Sequence, residues 1–404
     1  MIPIRKMGPG LLVTAAFIGP GTVTTATYAG ANYGFALLWT VVFSIFATIV
    51  LQEMAARLGL VTRLGLAEAM KNASNSAVVS KITIVLIVAA IGLGNAAYEV
   101  GNIAGAALAA TNVTGIEGRY WSTIIGIGSG ILLASGRYRI LESVLIILVL
   151  VMTTVFIITA ICLAPDMSAI LRGIFVPSIP SGSMLSVIGL IGTTVVPYNL
   201  FLHCNAVKQK WSAHHDLESS LRESRWDTGL AVGLGGLVTL AIVSTGASTY
   251  FKTGLVLSSE SMGDQLAPLL GDSARYVFAA GLFSGGLTSA ITAPLAAAYA
   301  VCGAMGWSQN MAAPRFKLVW LSVLATGTLF AANQSTPLPA ILFAQVANGF
   351  LLPFVAIFLL LVMNNKSLLG DYRNGALSNF FGVFVVLTAI GLGAIKLLGV
   401  LRAI

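Results

Sequence analysis

Polar and ionisable side chains set inside long apolar stretches are the residues of this sequence equipped for chemistry. Hydrocarbon tolerates them only when they have a partner or a task. The densest group is Asn95, Glu99 and Asn102, within Gly94-Asn95-Ala96-Ala97-Tyr98-Glu99-Val100-Gly101-Asn102. Spacings of i, i+4 and i+7 put all three on one helix face. That face reads either as a proton or ion relay or as a structural hydrogen-bond partner for a distorted helix. Gln345 and Asn348 stand one turn apart in another apolar run; their carboxamides can coordinate a cation through oxygen or hydrogen-bond an organic solute. His203 follows Pro197 by one to two turns and reads as a titrating group or as a neutral, hydrogen-bonded histidine. Glu53 with Arg57, Glu142 beside Arg137 and Arg139, and Asp227 beside Arg225 lie near the ends of apolar runs. They read as gate or structural ion pairs. His214 and His215 are adjacent, so on a helix they would face different sides; a solvated loop is the better reading than a metal site. Cys162, Cys204 and Cys302 are scattered in or beside apolar segments and read as small buried hydrophobes.

These residues must be positioned by membrane-length elements, and two of those are interrupted. Residues 8–31 form an apolar run broken at Phe17-Ile18-Gly19-Pro20-Gly21-Thr22-Val23. Proline removes a backbone donor and clashes with the preceding turn, while glycine tolerates the resulting geometry, so a helix should unwind there. A second interruption, Gly192-Thr193-Thr194-Val195-Val196-Pro197-Tyr198-Asn199, lies in the other half of the chain. Unpaired backbone at mid-membrane depth survives only when buried in protein or lining a cavity. Matched breaks in two halves point to a transporter built on inverted repeats, with its site between them. Small residues at 282–289 most simply permit close helix packing.

The 404 residues are 57% hydrophobic and only 9% charged, with a mean hydropathy of +0.92. A soluble globular domain is excluded by that composition, leaving an all-α polytopic membrane protein. Runs of spanning length fall at about 8–31, 34–58, 78–111, 119–136, 140–164, 184–205, 228–250, 274–305, 316–332, 337–364 and 376–401, about eleven helices in all. With the N-terminus cytoplasmic, sixteen of the 22 basic residues lie on the inner side, which fits the positive-inside rule. The net charge of +8 therefore reflects topology, and no nucleic-acid partner is expected. Three longer connections are expected: 59–80 and 206–226 inside, and a Pro-, Ser- and Gly-rich 165–183 outside. A fourth stretch, 253–273, has room for a short extracellular helix.

At the level of motifs the chain resembles the NRAMP family of proton-coupled divalent-metal transporters. The resemblance is carried by Gly8-Pro9-Gly10-Leu11-Leu12-Val13, the broken first span, Gln52 to Gly59, Arg139 to Glu142, Pro197 to His203, Gly286 to Pro294, and Gln345 with Pro353. It implies a LeuT-type fold with helices 1 and 6 unwound around a central site. The first five-helix repeat would be 1–164, the extracellular linker 165–183, the inverted repeat 184–364, and an eleventh helix would occupy 365–404. It further implies a multi-pass plasma-membrane protein, not an enzyme, with the lipid bilayer, a small ion or solute and a coupling proton as partners, and with no cofactor.

The central site departs from the family pattern. Where the family carries Asp-Pro-Gly-Asn in the first break, this chain has Gly19-Pro20-Gly21-Thr22. The family's thioether position is Val196, an alanine whose carbonyl contributes becomes Thr193, and a histidine after the proline becomes Tyr198. An acidic residue one turn before Glu99 is replaced by Ala96, whereas Glu99, Asn199, His203 and Gln345 match. The expected substrate-binding set is Gly19, Gly21, Thr22, Thr193, Val196, Tyr198, Asn199, Gln345 and Asn348. Glu99, His203, Asn95 and Asn102 form the candidate relay. Without Asp, Asn and Met, a manganese or iron site cannot be rebuilt at these positions. Three readings stay open: a divalent cation carried largely hydrated, as magnesium prefers; a small anionic or neutral solute; or a non-transporting sensor or scaffold.

Overall fold

The computed structural model describes residues 18–73, 77–135, 139–211, 216–334 and 336–401, the side chains at 77–80, 139–143 and 397–401 excepted. The described chain is helical: α1 (Pro20–Tyr33), α2 (Leu38–Thr62), α3 (Leu66–Asn72), α4 (Ala77–Ile87), α5 (Gly94–Thr114), α6 (Gly118–Ser135), α7 (Arg139–Cys162), α8 (Met167–Phe175), α9 (Met184–Thr194), α10 (Pro197–Lys210), α11 (Leu217–Gly246), α12 (Ala267–Leu270), α13 (Ala274–Met305), α14 (Pro314–Ala332), α15 (Pro337–Met363), α16 (Lys366–Leu369) and α17 (Ala376–Leu401). A π-helical turn, Val88–Leu93, joins α4 to α5, so that the two form one long span. Among the described residues nine helical segments are long and apolar enough to cross a membrane. The other two expected spans correspond to α6 and to α1, whose preceding residues lie outside the description.

At the centre, α1 packs against α9, α11 and α15, while α5 packs against α13, α14 and α15. Small residues permit this, as membrane helices gain little from burying apolar surface and rely on close contact. A Cβ on Gly105 of α5 would sit 2.1 Å from the Pro20 Cβ of α1. One on Gly192 of α9 would sit 2.1 Å from the Gln345 carbonyl oxygen of α15. Gly286 lets α13 close on Ala106 and the Asn102 carbonyl of α5, so the small residues at 282–289 serve packing.

Several expectations need correction. The inner connection expected at 206–226 shrinks to a few residues, because α10 runs on to Lys210 and α11 begins at Leu217. Helices project beyond the hydrocarbon when their ends are capped, and Asp216 accepts from the Ser219 amide at 2.9 Å. The outer linker 165–183 contains α8. Asp166 caps it, accepting from the Ser168 amide at 2.9 Å, while Met167, Leu171 and Phe175 form an exposed apolar stripe. Cys204 and Cys302 are buried as expected, but Cys162, at the end of α7, is exposed. The stretch 253–273 does hold short helices, a 3-10 turn over Ser261–Leu266 followed by α12. His214, His215, Arg137 and the Glu142 side chain lie outside the described residues.

Candidate functional site

Both proline positions open a helix after extended backbone, and in the second a helix is also described on the preceding side. Gly19 is extended (φ −110°, ψ −171°) and Pro20 opens α1. In the second break α9 stops at Thr194, Val195 turns (φ −94°, ψ 65°), Val196 is extended (φ −73°, ψ 119°), and Pro197 opens α10. Proline suits the first helical position because its missing N–H would have no intrahelical acceptor there. The unsatisfied backbone ends of α1 and α10 (N-termini) and of α9 (C-terminus) are brought near one another, as the Thr22–Thr193 contact shows.

Side chains join the breaks. The Thr22 and Thr193 hydroxyls are 2.8 Å apart and both are fully buried. Gln345 reaches across from α15 and lies against Gly21, where a Cβ would be 2.1 Å from its Nε2. Gln345 is fully buried, yet neither its Oε1 nor its Nε2 has a hydrogen-bond partner among the described residues. The same holds for Oδ1 and Nδ2 of Asn199 in the first turn of α10, and for Nδ2 of Asn348 one turn beyond Gln345. Orphaned buried amides cost about 1–3 kcal/mol each, so such a concentration calls for a polar partner, water or ligand. Gly19, Gly21, Thr22, Thr193 and Gln345 thus converge, with Val196, Tyr198 and Asn199 at the head of α10.

Two further residues belong here that composition and spacing do not single out. The rings of Tyr98 and Tyr198 lie 5.3 Å apart at 59°, both fully buried. Ser289 of α13 approaches Gly19 so closely that a Cβ there would be 2.8 Å from its Oγ. Tyr98 carried one available signal, as the immediate neighbour of Glu99; Ser289 lay in the small-residue stretch 282–289, which read as helix packing.

The candidate relay is placed differently. Asn95 donates to the Ala293 carbonyl of α13 at 3.2 Å, and Asn102 donates to Glu99 Oε2 at 3.1 Å. Glu99 lies against Gly327 of α14, where a Cβ would be 2.4 Å from its Cγ. The three share a face, as their spacing requires, but that face turns toward α13 and α14, whereas Tyr98 looks to α10. Glu99 is fully buried, and its Oε1 has no hydrogen-bond partner among the described residues. His203 Nε2 is 3.1 Å from the Thr228 hydroxyl of α11.

Near one end of α2 a polar cluster ties the bundle together. Arg57 is bonded to Glu53 at 3.0 Å, to the Tyr372 carbonyl at 2.9 Å and to Asn374 Oδ1 at 2.8 Å. Glu53 also takes Arg225 of α11 at 3.1 Å. Arg225 thus pairs across helices with Glu53. The Glu53–Arg57 pair links α2 to α11 and to residues 372–374.

Chemically the junction between the breaks offers neutral oxygen and nitrogen: carboxamides, hydroxyls and backbone. Among the described residues no group of three or more His, Cys, Asp or Glu could hold a metal ion. The arrangement suits a polar solute held by hydrogen bonds, or a cation held through hard oxygens with its water retained.

Comparison with known proteins gives a consistent result. The family model Nramp, described as natural resistance-associated macrophage protein-like, matches residues 10–399. The divalent metal cation transporter MntH of Yersinia pestis is 27% identical over 409 residues, covering 99% of this chain and 97% of its own length. MntH of Aeromonas hydrophila is 27% identical over 415 residues, with 99% and 98% covered. Crystal structures of mutants of the Eremococcus coleocola manganese transporter share the fold, one with a TM-score of 0.75 at 22% identity, covering 96% of this chain and 85% of that one. A nucleobase-cation-symport-1 family transporter in a closed conformation follows at a TM-score of 0.57 and 14% identity, with 96% and 92% covered.

Proposed function

The chain belongs to the Nramp family, and on that premise we propose that it is a secondary transporter that moves a hard divalent cation across the plasma membrane by alternating access. The cation binds between the two helix breaks with most of its water in place. Supporting this reading is one observation above the rest: the unpartnered, buried carboxamides of Gln345 and Asn199 beside the broken backbone. Their oxygens, with the Thr22 and Thr193 hydroxyls and the carbonyls at the end of α9, suit an ion that keeps its hydration shell. Magnesium dehydrates reluctantly and keeps several waters, which makes it the better match; the thioether that would favour a softer transition metal is absent, because Val196 supplies no sulfur. Glu99 and His203 handle a coupling proton. Residues 1–164 and 184–364 act as the two inverted halves, 165–183 links them, 365–404 adds a further helix, and the N-terminus is cytoplasmic.

A second reading, a small anionic or neutral solute, rests on a specific feature of the same junction. The N-termini of α1 and α10 both open onto it, and Gly19 supplies no carboxylate. Backbone donors with the positive ends of two helix dipoles suit an anion. Reconstituted vesicles holding a divalent-ion indicator separate the two. Magnesium influx that disappears in Gln345→Ala supports the first. Absence of influx for magnesium, manganese and calcium, with saturable uptake of a labelled carboxylate or neutral solute, would establish the second.

A further inference from the structure

One cavity lies away from the helix breaks, on the flank where α4 and α5 meet α15. It measures about 590 Å³ and is lined by apolar side chains from Met70 on α3 to Leu93 and Phe343. Three features shape it. The π-helical turn Val88–Leu93 re-aims the chain in the middle of the span, and such turns recur at functional positions. Ala90, Ala97 and Ala347 keep the walls recessed, while Phe350, Phe354 and Phe358 rise along one side. On its floor lies Phe201, a fully packed residue of the broken-helix half α10.

The groove continues the lipid-facing surface, because Val85, Leu93, Phe343 and Phe354 beside or within it are exposed. Toward α3 the segments that flank it carry lysines. Lys81, exposed, precedes the lining residue Leu86 by five positions, and exposed Lys366 follows Asn365, whose Nδ2 bonds the Ala73 carbonyl at the end of α3 at 3.0 Å. We propose that this groove binds one acyl chain of an anionic phospholipid, with the headgroup held between Lys81 and Lys366. Hydrocarbon surrounds the groove and fits its wholly apolar lining, while the lysines supply the complementary charge at the interface. With the orientation given above, the lipid comes from the cytoplasmic leaflet. Because its chain rests on Phe201, occupancy bears on the helix that carries Tyr198 and Asn199.

Native mass spectrometry of the detergent-solubilised protein, with phosphatidylglycerol and phosphatidylethanolamine in equal amounts, tests this without any transport measurement. One retained phosphatidylglycerol is expected. Ala347→Phe, which fills the groove, should abolish retention. The double variant Lys81→Glu with Lys366→Glu, at exposed sites remote from the helix breaks, should weaken it by at least about 25-fold, roughly fivefold per lysine. The paired Arg substitutions should retain it. Equal retention by wild type and by both groups of variants would overturn the proposal, as would a lipid-free mass of two chains that Ala347→Phe returns to one.

Discussion

Replacing Thr22 by valine removes the hydroxyl that lies 2.8 Å from Thr193 Oγ1 while keeping the branched shape. Both residues are fully buried, so water does not take the lost partner's place. Interhelical hydrogen bonds in membranes average about 0.6 kcal/mol and reach about 1.7, and an orphaned buried hydroxyl adds a further penalty of about 1 kcal/mol or more. Thr22→Val and Thr193→Val should therefore each cost about 1–2 kcal/mol. They should differ in one respect: the Thr22 hydroxyl also lies 3.5 Å from the Thr193 carbonyl, a contact that Thr193→Val keeps. Thr22→Val is thus the costlier of the two. The double variant should be less damaging than the sum by about 1 kcal/mol, since neither threonine then keeps a hydroxyl that has lost the other. Equilibrium unfolding of the purified protein in mixed micelles measures all four corners of the cycle. Additivity within about 0.3 kcal/mol would refute the inference that this bond joins the two breaks.

Three other outcomes follow from the same geometry. Glu99→Gln keeps an oxygen for Asn102 Nδ2 but cannot ionise, so uptake should persist while losing its response to an imposed pH gradient; an unchanged response would remove Glu99 from proton coupling. Arg57→Ala breaks bonds to Glu53, Tyr372 and Asn374, and should destabilise the protein by about 2–3 kcal/mol, read as a lower melting temperature; an unshifted melting curve would show the cluster to be incidental. The Ser168 hydroxyl and amide, then the Ala169 amide, hold the Asp166 carboxyl below its usual range. A depressed folded value means that the cap's contribution is complete above the unfolded carboxyl's pKa and fades as pH falls through the lowered one. Amide exchange in α8 should accelerate across that acidic window, and Asp166→Asn should flatten the dependence; acceleration that persists in the Asn variant would assign it to another group.

The second break was legible because Pro197 inside an apolar run has few other uses, and the structure extends Val196 between α9 and α10; at the first, Gly19 is extended just before α1, and the residues before Ile18 lie outside the description. Helix extents were less legible. Hydropathy ends a span where charge begins, yet α10 and α11 continue past that point on caps and cross-helix pairs such as Glu53 with Arg225. Gln345 stood out as a carboxamide in a bilayer-length run. Its placement on Gly21 could not be read, because contacts between α1 and α15 are set by packing through space. For the same reason the i, i+4, i+7 face of α5 was visible while its direction, toward α13 and α14, was not. Tyr98, one residue from Glu99 but on the neighbouring face, blends into the apolar pattern and emerges only from its contact with Tyr198.

Calorimetric titration of the purified protein with magnesium, manganese and calcium bears most directly on the claim that the junction between α1, α9, α10 and α15 holds a hard cation through neutral oxygens. Saturable heat with magnesium at least equal to that with manganese, abolished by Gln345→Ala, is the predicted result. No heat from any of the three ions, with saturable binding of a carboxylate or neutral solute that Gln345→Ala removes, would contradict it.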